Sequence, residues 1–217
     1  ALAKDFLQSG DKSKAEDELN IILKMDSSNK WALLMLKEIA TKNENWKEAL
    51  THEKKLMKID LNHKKNDESM LNYYIAMDYK SKDKIKNYLH YLEKSAAADN
   101  IYPESALELA QYNKDNVETA ISYYKLYAKN KPSQRTLAYN KIENILFDNQ
   151  QYDDVEILYR ELLEKSFDGF ALNRLVDILL EKKEVSEAHD LVDRFMKSNY
   201  SCLSLIHISE PTRPRII

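Results

Sequence analysis

The sequence of 217 residues contains little glycine and proline, with two Gly and four Pro. All-β sandwiches need these residues for their tight turns, and phosphate-binding loops need glycine, so both classes are disfavoured. The single cysteine, Cys202, excludes a disulfide framework and a Cys-based metal site within the sequence. Long apolar runs are also missing, since none approaches the 18 residues that indicate a transmembrane helix.

Charged residues are abundant but nearly balanced, with 33 Lys and Arg against 36 Asp and Glu and a net charge of −3. Both signs are interspersed, whereas nucleic-acid binding typically requires a strongly basic face. No nucleic-acid partner is therefore predicted. The abundance of Lys, Glu, Leu and Ala favours a chain made almost wholly of helices.

A pattern of about 35 residues recurs along the chain. Its clearest copy, Gly10–Asn29, has a Gly-Asp turn, a small residue, several apolar positions and a closing Asp. Steps of 34, 39, 32, 35 and 33 residues separate the positions that match the small residue, which are Ala15, Ala49, Tyr88, Ala120, Val155 and Ala188.

This period and the recurring alanine resemble the tetratricopeptide repeat (TPR), in which each unit forms two antiparallel helices. A small residue where the helices cross lets their backbones approach, and each pair leaves an apolar face that its neighbours cover. The resemblance implies an all-α fold, a right-handed superhelical α-solenoid of about six TPR-like helix pairs over residues 1–200. Because Tyr88 and Val155 are large, we expect wider or shifted crossings there. Leu61–Ser69 is predicted to be a loop before the fifth helix.

The composition changes after Tyr200. Ser201–Ile217 contains the only cysteine and two of the four prolines. Its segment LSLIHISEPTR, Leu203–Arg213, resembles a translated sequencing adapter, so residues 201–217 are expected to be a non-native, disordered tail. The alternative is a natural apolar tail that docks on the helices. The chain also starts at Ala1 within a helical pattern, and we expect an upstream segment to precede it.

No arrangement of catalytic or metal-binding residues emerges from the sequence. Four histidines precede the tail, none three or four residues from another, which disfavours a helical metal site. Exposed or partly packed positions on helix surfaces are predicted for His52, His63, His90 and His189. Asp153 and Asp154 are expected to stabilise a helix N-terminus. We therefore predict no catalytic residue, no cofactor and no metal, and a chain that is not an enzyme. An enzyme built on a helical solenoid would need a clustered polar site.

All fourteen tyrosines lie between Tyr73 and Tyr200. A stacking platform for nucleic acid would need accompanying basic residues, and the local charge is mixed. Packing between repeats is therefore the preferred interpretation.

The remaining candidate is a protein-binding surface. In stacked helix pairs the first helix lines the concave face, and its non-packing positions face a ligand. In the fifth and sixth pairs these positions are Asn140, Asn144, Phe147, Asn173, Asp177 and Leu180. Asn side chains offer a donor and an acceptor to an extended peptide. Ordinary solvated polar residues are the alternative interpretation.

Four blocks of sequence resemble the lipopolysaccharide assembly protein B (LapB) family in order and spacing. They are LAKDFLQSGDKSKAEDELN (2–20), ENWKEAL (44–50), LEKSAAADN (92–100) and ILLEKKEVSEAHDLV (178–192). The resemblance implies a bacterial adaptor that presents the lipid A pathway deacetylase to the membrane protease FtsH, which would be its two protein partners.

The same resemblance implies a place in the cytoplasm at the inner-membrane face, through an N-terminal membrane helix outside this sequence. It also implies a C-terminal rubredoxin-like metal domain with two Cys-x-x-Cys pairs. This sequence contains no such pair, so no functional residue is transferred. The alternative is a TPR module of another bacterial envelope or secretion assembly, and the oligomeric state is left open.

Overall fold

The computed structural model describes residues 2–60, 66–97, 100–166 and 168–208. Within these ranges the chain forms twelve α-helices, one 3-10 turn at Pro132–Gln134, and no β-strand. The helices are α1 (Leu2–Ser9), α2 (Lys12–Met25), α3 (Lys30–Lys42), α4 (Trp46–Ile59), α5 (Asn66–Ser81), α6 (Ile85–Ala97), α7 (Pro103–Tyr112), α8 (Val117–Asn130), α9 (Arg135–Asp148), α10 (Tyr152–Ser166), α11 (Gly169–Glu181) and α12 (Val185–Ile208).

The helices belong to two compact units, Ala1–Tyr139 and Asn140–Ile217. In the first unit α1 packs on α2, α3 on α4, α5 on α6 and α7 on α8, and successive pairs contact through α2 with α3, α4 with α5 and α6 with α7. In the second unit α11 packs against both α10 and α12. The predicted all-α fold of TPR-like helix pairs is confirmed.

The positions predicted to lie at helix crossings are all buried. Ala15, Ala49 and Ala120 have no exposed surface, and the two large residues are almost as deeply buried, Tyr88 at 3% and Val155 at 1% exposed. The buried Tyr88 hydroxyl donates a hydrogen bond to Glu108 Oε2 on α7, at 2.8 Å. Burial, together with this bond, raises the pKa of Tyr88. A bulky residue is thus tolerated where a neighbouring helix supplies an acceptor.

The first helix of five pairs ends in the same left-handed turn. Its left-handed residues, with their φ angles, are Gly10 (81°), Glu44 (57°), Asp83 (53°), Gln150 (60°) and Lys183 (65°). After each, the next backbone N–H donates to a carbonyl five residues back, for example from Asn45 to Ala40 at 2.8 Å. This is the Schellman arrangement, which usually places glycine at the left-handed position. Here four of the five turns hold a residue with a Cβ atom.

These turns predict a simple stabilisation. Glu44→Gly and Lys183→Gly are each expected to raise the free energy of unfolding by about 0.5–1 kcal/mol, because glycine adopts positive φ without steric cost. Urea denaturation followed by circular dichroism measures the change. Asn43→Gly is the matched control, since Asn43 has a φ of −91° and gains nothing from glycine. A Glu44→Gly chain no more stable than the Asn43→Gly chain would contradict this prediction.

The loop predicted at Leu61–Ser69 is shorter than expected. The helix α5 already begins at Asn66, so residues 66–69 are helical, and residues 61–65 lie outside the described part of the chain. Two acidic residues in the first turn, Asp67 and Glu68, favour this early start because they interact with the helix dipole. Ser69 is buried and donates a hydrogen bond to the carbonyl of Asn100 at 2.6 Å. Tertiary contact therefore holds the end of the predicted loop in the helix.

The composition change at Tyr200 does not coincide with a helix end. The last helix, α12, runs to Ile208, and the expected disorder of residues 201–217 stays a prediction. Residues 201–208 contain neither Gly nor Pro, and the first breaker beyond them is Pro211. Residues 209–217 lie outside the described part, and the non-native origin of the tail stays a prediction. None of the described helices, α12 included, is long and apolar enough to cross a membrane.

Candidate functional site

The six predicted binding positions are all exposed and form two stripes, one on α9 and one on α11. The α9 stripe consists of Asn140, Asn144 and Phe147, and the α11 stripe of Asn173, Asp177 and Leu180. Spacings of four and three residues place each set on one helix face. Phe147 and Leu180 keep 38% and 48% of their surface exposed although both are large and apolar. Each stripe is therefore accessible, and its binding role stays a prediction.

A buried polar network holds the helices that carry these stripes. The Tyr159 hydroxyl, on α10, donates to Glu143 Oε2 on α9 at 2.6 Å. Arg174, on α11, donates from Nε to Glu143 Oε1 at 2.9 Å, and its Nη2 also donates to that oxygen. Tyr159 is completely buried and Glu143 is 7% exposed. The hydrogen bond to Glu143 is the main reason that the pKa of Arg174 is raised. One carboxylate thus connects three helices of the second unit.

The first unit contains a groove between α3 and α5 that the sequence interpretation missed. Its volume is about 420 Å³. Its lining comprises the apolar side chains Leu34, Met35, Met70 and Leu71, with Lys37, Glu38, Thr41, Lys42 and Asp67 around them. Leu34, Glu38 and Thr41 lie 106 residues before Asn140, Asn144 and Phe147 respectively. Applying the repeat positions of the α9 stripe to the second helix pair would therefore have identified the α3 wall of this groove.

The charged residues of the α3–α5 groove are paired with one another or with α4. Lys37 Nζ lies 3.0 Å from Glu53 Oε2 and 2.6 Å from Asp67 Oδ2. Glu53 is completely buried. Burial opposes the charge of Lys37, but the hydrogen bonds to Asp67 and Glu53 outweigh it and raise its pKa. At the rim Lys42 contacts Glu38 at 2.7 Å. Because these charged groups are engaged with one another, the groove presents mainly apolar surface to a partner.

Aromatic rings connect neighbouring helix pairs of the first unit. Trp46 of α4 stacks on Tyr74 of α5, with ring centroids 4.6 Å apart and planes 19° apart. Tyr73 contacts Tyr102, the residue before α7, at 4.9 Å. Burial is the main reason that the pKa of Tyr73 is raised. For these tyrosines the predicted packing between repeats is confirmed.

One histidine, His52, is buried more deeply than the exposed or partly packed position predicted for it. His52 is 7% exposed rather than on the surface, and burial lowers its pKa. Neither ring nitrogen has a hydrogen-bond partner among the described residues, and Glu48 Oε1 lies 3.8 Å from Nε2. The spacing of the buried residues Ala49, His52, Glu53 and Leu56 could have identified this face.

The other histidines do not change the prediction about metals. His90 and His189 are exposed as predicted, and His63 lies outside the described residues. No group of three or more His, Cys, Asp or Glu that could hold a metal occurs in the described ranges.

Comparisons with known proteins find similar structures but no family. No family model matches the sequence, and neither does any curated protein. The MamA protein is 19% identical, with 76% of this chain and 87% of that chain covered and a TM-score of 0.41. YrrB, described as a TPR protein with an unusual peptide-binding site, is 15% identical, with coverages of 79% and 87% and a TM-score of 0.39.

A third similar structure is PilW, a type IV pilus biogenesis factor. It is 17% identical, with 92% of this chain and 91% of that chain covered and a TM-score of 0.33. At these low scores the assignment depends on the chain's own helix pairs and on its period of about 35 residues. By those features the chain is an all-α protein of TPR-like helix pairs.

Proposed function

We propose that this chain is a non-enzymatic protein-interaction scaffold that holds segments of partner proteins against the first helices of its pairs. The α3–α5 groove is the observation that supports this most directly. Its volume, about 420 Å³, lies within the range typical of ligand sites. Each large apolar side chain that a partner fully buries there contributes roughly 1.5–3 kcal/mol.

The lining of the groove suits a polypeptide. Met35 and Met70 are unbranched and polarizable, so they adapt to the shape of an inserted side chain. Lys37 forms ion pairs with Glu53 and Asp67, so its role is structural. Binding through apolar side chains is therefore favoured over capture of a charged small molecule.

A photo-cross-linking residue at Glu38, on the exposed groove rim, is expected to give discrete protein adducts in cells. The same residue at Lys86, exposed on α6, is the control and is expected to give none. Met70→Glu places a charge in the apolar lining and should abolish the Glu38 adducts, whereas Met25→Glu at an 83% exposed position should preserve them. Identical adduct patterns from Glu38 and Lys86 would exclude the groove as the binding site.

At a finer level, we propose that the scaffold is an adaptor in lipopolysaccharide biosynthesis that presents the lipid A pathway deacetylase to FtsH. The four sequence blocks that resemble the LapB family support this role. Two separate surfaces, the groove of the first unit and the stripes of the second, suit an adaptor with two partners. Binding both on one chain raises their effective concentration for each other.

Purified deacetylase and the cytoplasmic part of FtsH test this finer proposal directly. Size-exclusion chromatography with the full chain should yield a three-component complex that Met70→Glu weakens. If neither protein binds while the Glu38 adducts persist, the adaptor role is wrong and the scaffold role stands. The alternative, a TPR module of another bacterial envelope or secretion assembly, would then be preferred.

A further inference from the structure

The two turns of the second unit expose four large apolar side chains. Phe147 and Tyr152 flank the turn between α9 and α10, and Leu180 and Val185 flank the turn between α11 and α12. Their exposed fractions are 38%, 58%, 48% and 61% in that order. The rings of Phe147 and Tyr152 contact each other, with centroids 5.8 Å apart. We call these four residues the turn patch.

Ion pairs hold the two turns side by side. Lys182, in the second turn, places its Nζ 2.7 Å from Glu156 Oε2 and 3.4 Å from Asp153 Oδ1, both at the start of α10. Arg160 of α10 also contacts Glu187 of α12, at 2.7 Å. The ion pairs therefore tie together the helices that carry the two halves of the turn patch. Clustered exposed apolar side chains with a polar rim mark interaction sites.

Acidic residues outnumber basic ones in the two chain segments that carry the turn patch. Residues 147–154 and 177–187 contain seven carboxylates against two lysines, and Arg160 of α10 pairs with one of the seven, Glu187. The carboxylates are those of Asp148, Asp153, Asp154, Asp177, Glu181, Glu184 and Glu187. Asp153 and Asp154 lie in the first turn of α10, as predicted, and the Asp153 side chain is 93% exposed. Asp153 pairs with Lys182 at 3.4 Å, but its side chain remains accessible to a partner because so much of it is exposed.

We propose that the turn patch binds a basic amphipathic segment of a partner protein. Apolar side chains of that segment would cover Phe147, Tyr152, Leu180 and Val185, and its Lys or Arg residues would face the surrounding carboxylates. An apolar centre with a complementary charged rim is the usual organisation of a protein interface. The negative field also speeds association with cationic segments and disfavours anionic partners.

A symmetric contact with a second copy is a poorer occupant. An isologous interface brings the same patch of both chains together. Here it would set the acidic rim of one copy against the acidic rim of the other. The turn patch belongs to the second unit, so this inference does not depend on the α3–α5 groove.

A pair of labelled synthetic peptides tests the inference by fluorescence anisotropy with the full chain. One peptide carries Leu at helical spacing with Lys between, and the other has Glu at every Lys position. The Lys peptide is expected to bind at least tenfold more tightly than the Glu peptide. Tyr152→Ser combined with Val185→Ser is expected to weaken its binding about tenfold. Ile85→Ser is the matched control, because Ile85 is 44% exposed and is likewise the first residue of a second helix.

A charge variant separates the contribution of the carboxylates from that of the apolar turn patch. Asp148→Lys with Glu184→Lys is expected to weaken the Lys peptide about tenfold at low salt and to flatten its salt dependence. Equal binding of both peptides, or an equal loss in Ile85→Ser, would overturn the inference. Self-association of the chain, measured by light scattering, would also overturn the inference if the double variant Tyr152→Ser, Val185→Ser abolishes it. Met70→Glu should leave peptide binding unchanged, which separates this test from that of the groove.

Discussion

Replacing Lys37 with methionine is expected to lower the free energy of unfolding by about 3 kcal/mol. The loss arises because Glu53 is completely buried and Lys37 Nζ contacts both Glu53 and Asp67. Methionine keeps most of the side-chain volume but leaves two carboxylates close together without this cation. Urea denaturation followed by circular dichroism gives the change, and hydrogen exchange should locate it in α3, α4 and α5.

Two further variants show whether buried charge is the cause. Lys42→Met removes an ion pair of the same helix whose partners are 60% and 52% exposed, so it should cost less than about 1 kcal/mol. Adding Glu53→Gln to Lys37→Met should recover part of the loss, because the buried group is then neutral. Equal losses from Lys37→Met and Lys42→Met would show that burial of Glu53 does not govern the effect.

Arg174→Met is expected to destabilise the second unit by about 2–3 kcal/mol. This change removes both hydrogen bonds from the guanidinium to Glu143. Of the three hydrogen bonds that Tyr159 and Arg174 donate to it, the Glu143 carboxylate then retains only the one from the Tyr159 hydroxyl, at 2.6 Å. Tyr159→Phe removes the other donor and should cost about 1 kcal/mol. Hydrogen exchange of α9, α10 and α11 measures both losses.

Lys165→Met provides the comparison for Arg174→Met. Lys165 contacts Glu161 at 3.8 Å, and these side chains are 76% and 46% exposed. Its loss should stay below about 0.5 kcal/mol. A similar loss for Lys165→Met and Arg174→Met would argue that Glu143 does not join the three helices energetically.

The two buried networks occupy corresponding positions of their repeats with opposite charge. Lys37 and Glu143 lie 106 residues apart on α3 and α9, and the same distance separates Glu53 on α4 from Tyr159 on α10. The third member comes from the first helix of the following pair, Asp67 or Arg174. A repeat placed beside the wrong neighbour would set like charges together, so these networks favour the native order of pairs.

The helix pattern was predictable because it is local. Apolar residues that recur every three or four positions predict each helix, and a short polar turn predicts where two helices of a pair are joined. Chain position alone placed small residues such as Ala15, Ala49 and Ala120 at buried crossings. The exposed stripe at Asn140, Asn144 and Phe147 followed from the same spacing. For these features the neighbours along the chain supply most of the information.

Other features appeared only in the tertiary structure. The left-handed turns at Glu44 and Lys183 contain no glycine, so the sequence does not predict their positive φ angles. Backbone hydrogen bonds at the ends of α3 and α11 stabilise these turns. Lys37 obtains its partners 16 and 30 residues away, once three helices have packed.

The α3–α5 groove depends on packing in the same way, because its walls come from two helices that are not adjacent in sequence. The sequence alone determined most of the helix pattern and its apolar faces, but not where α5 begins. The stacking of successive pairs decided which of those faces remain open, because the distance between helices depends on side chains from several repeats at once.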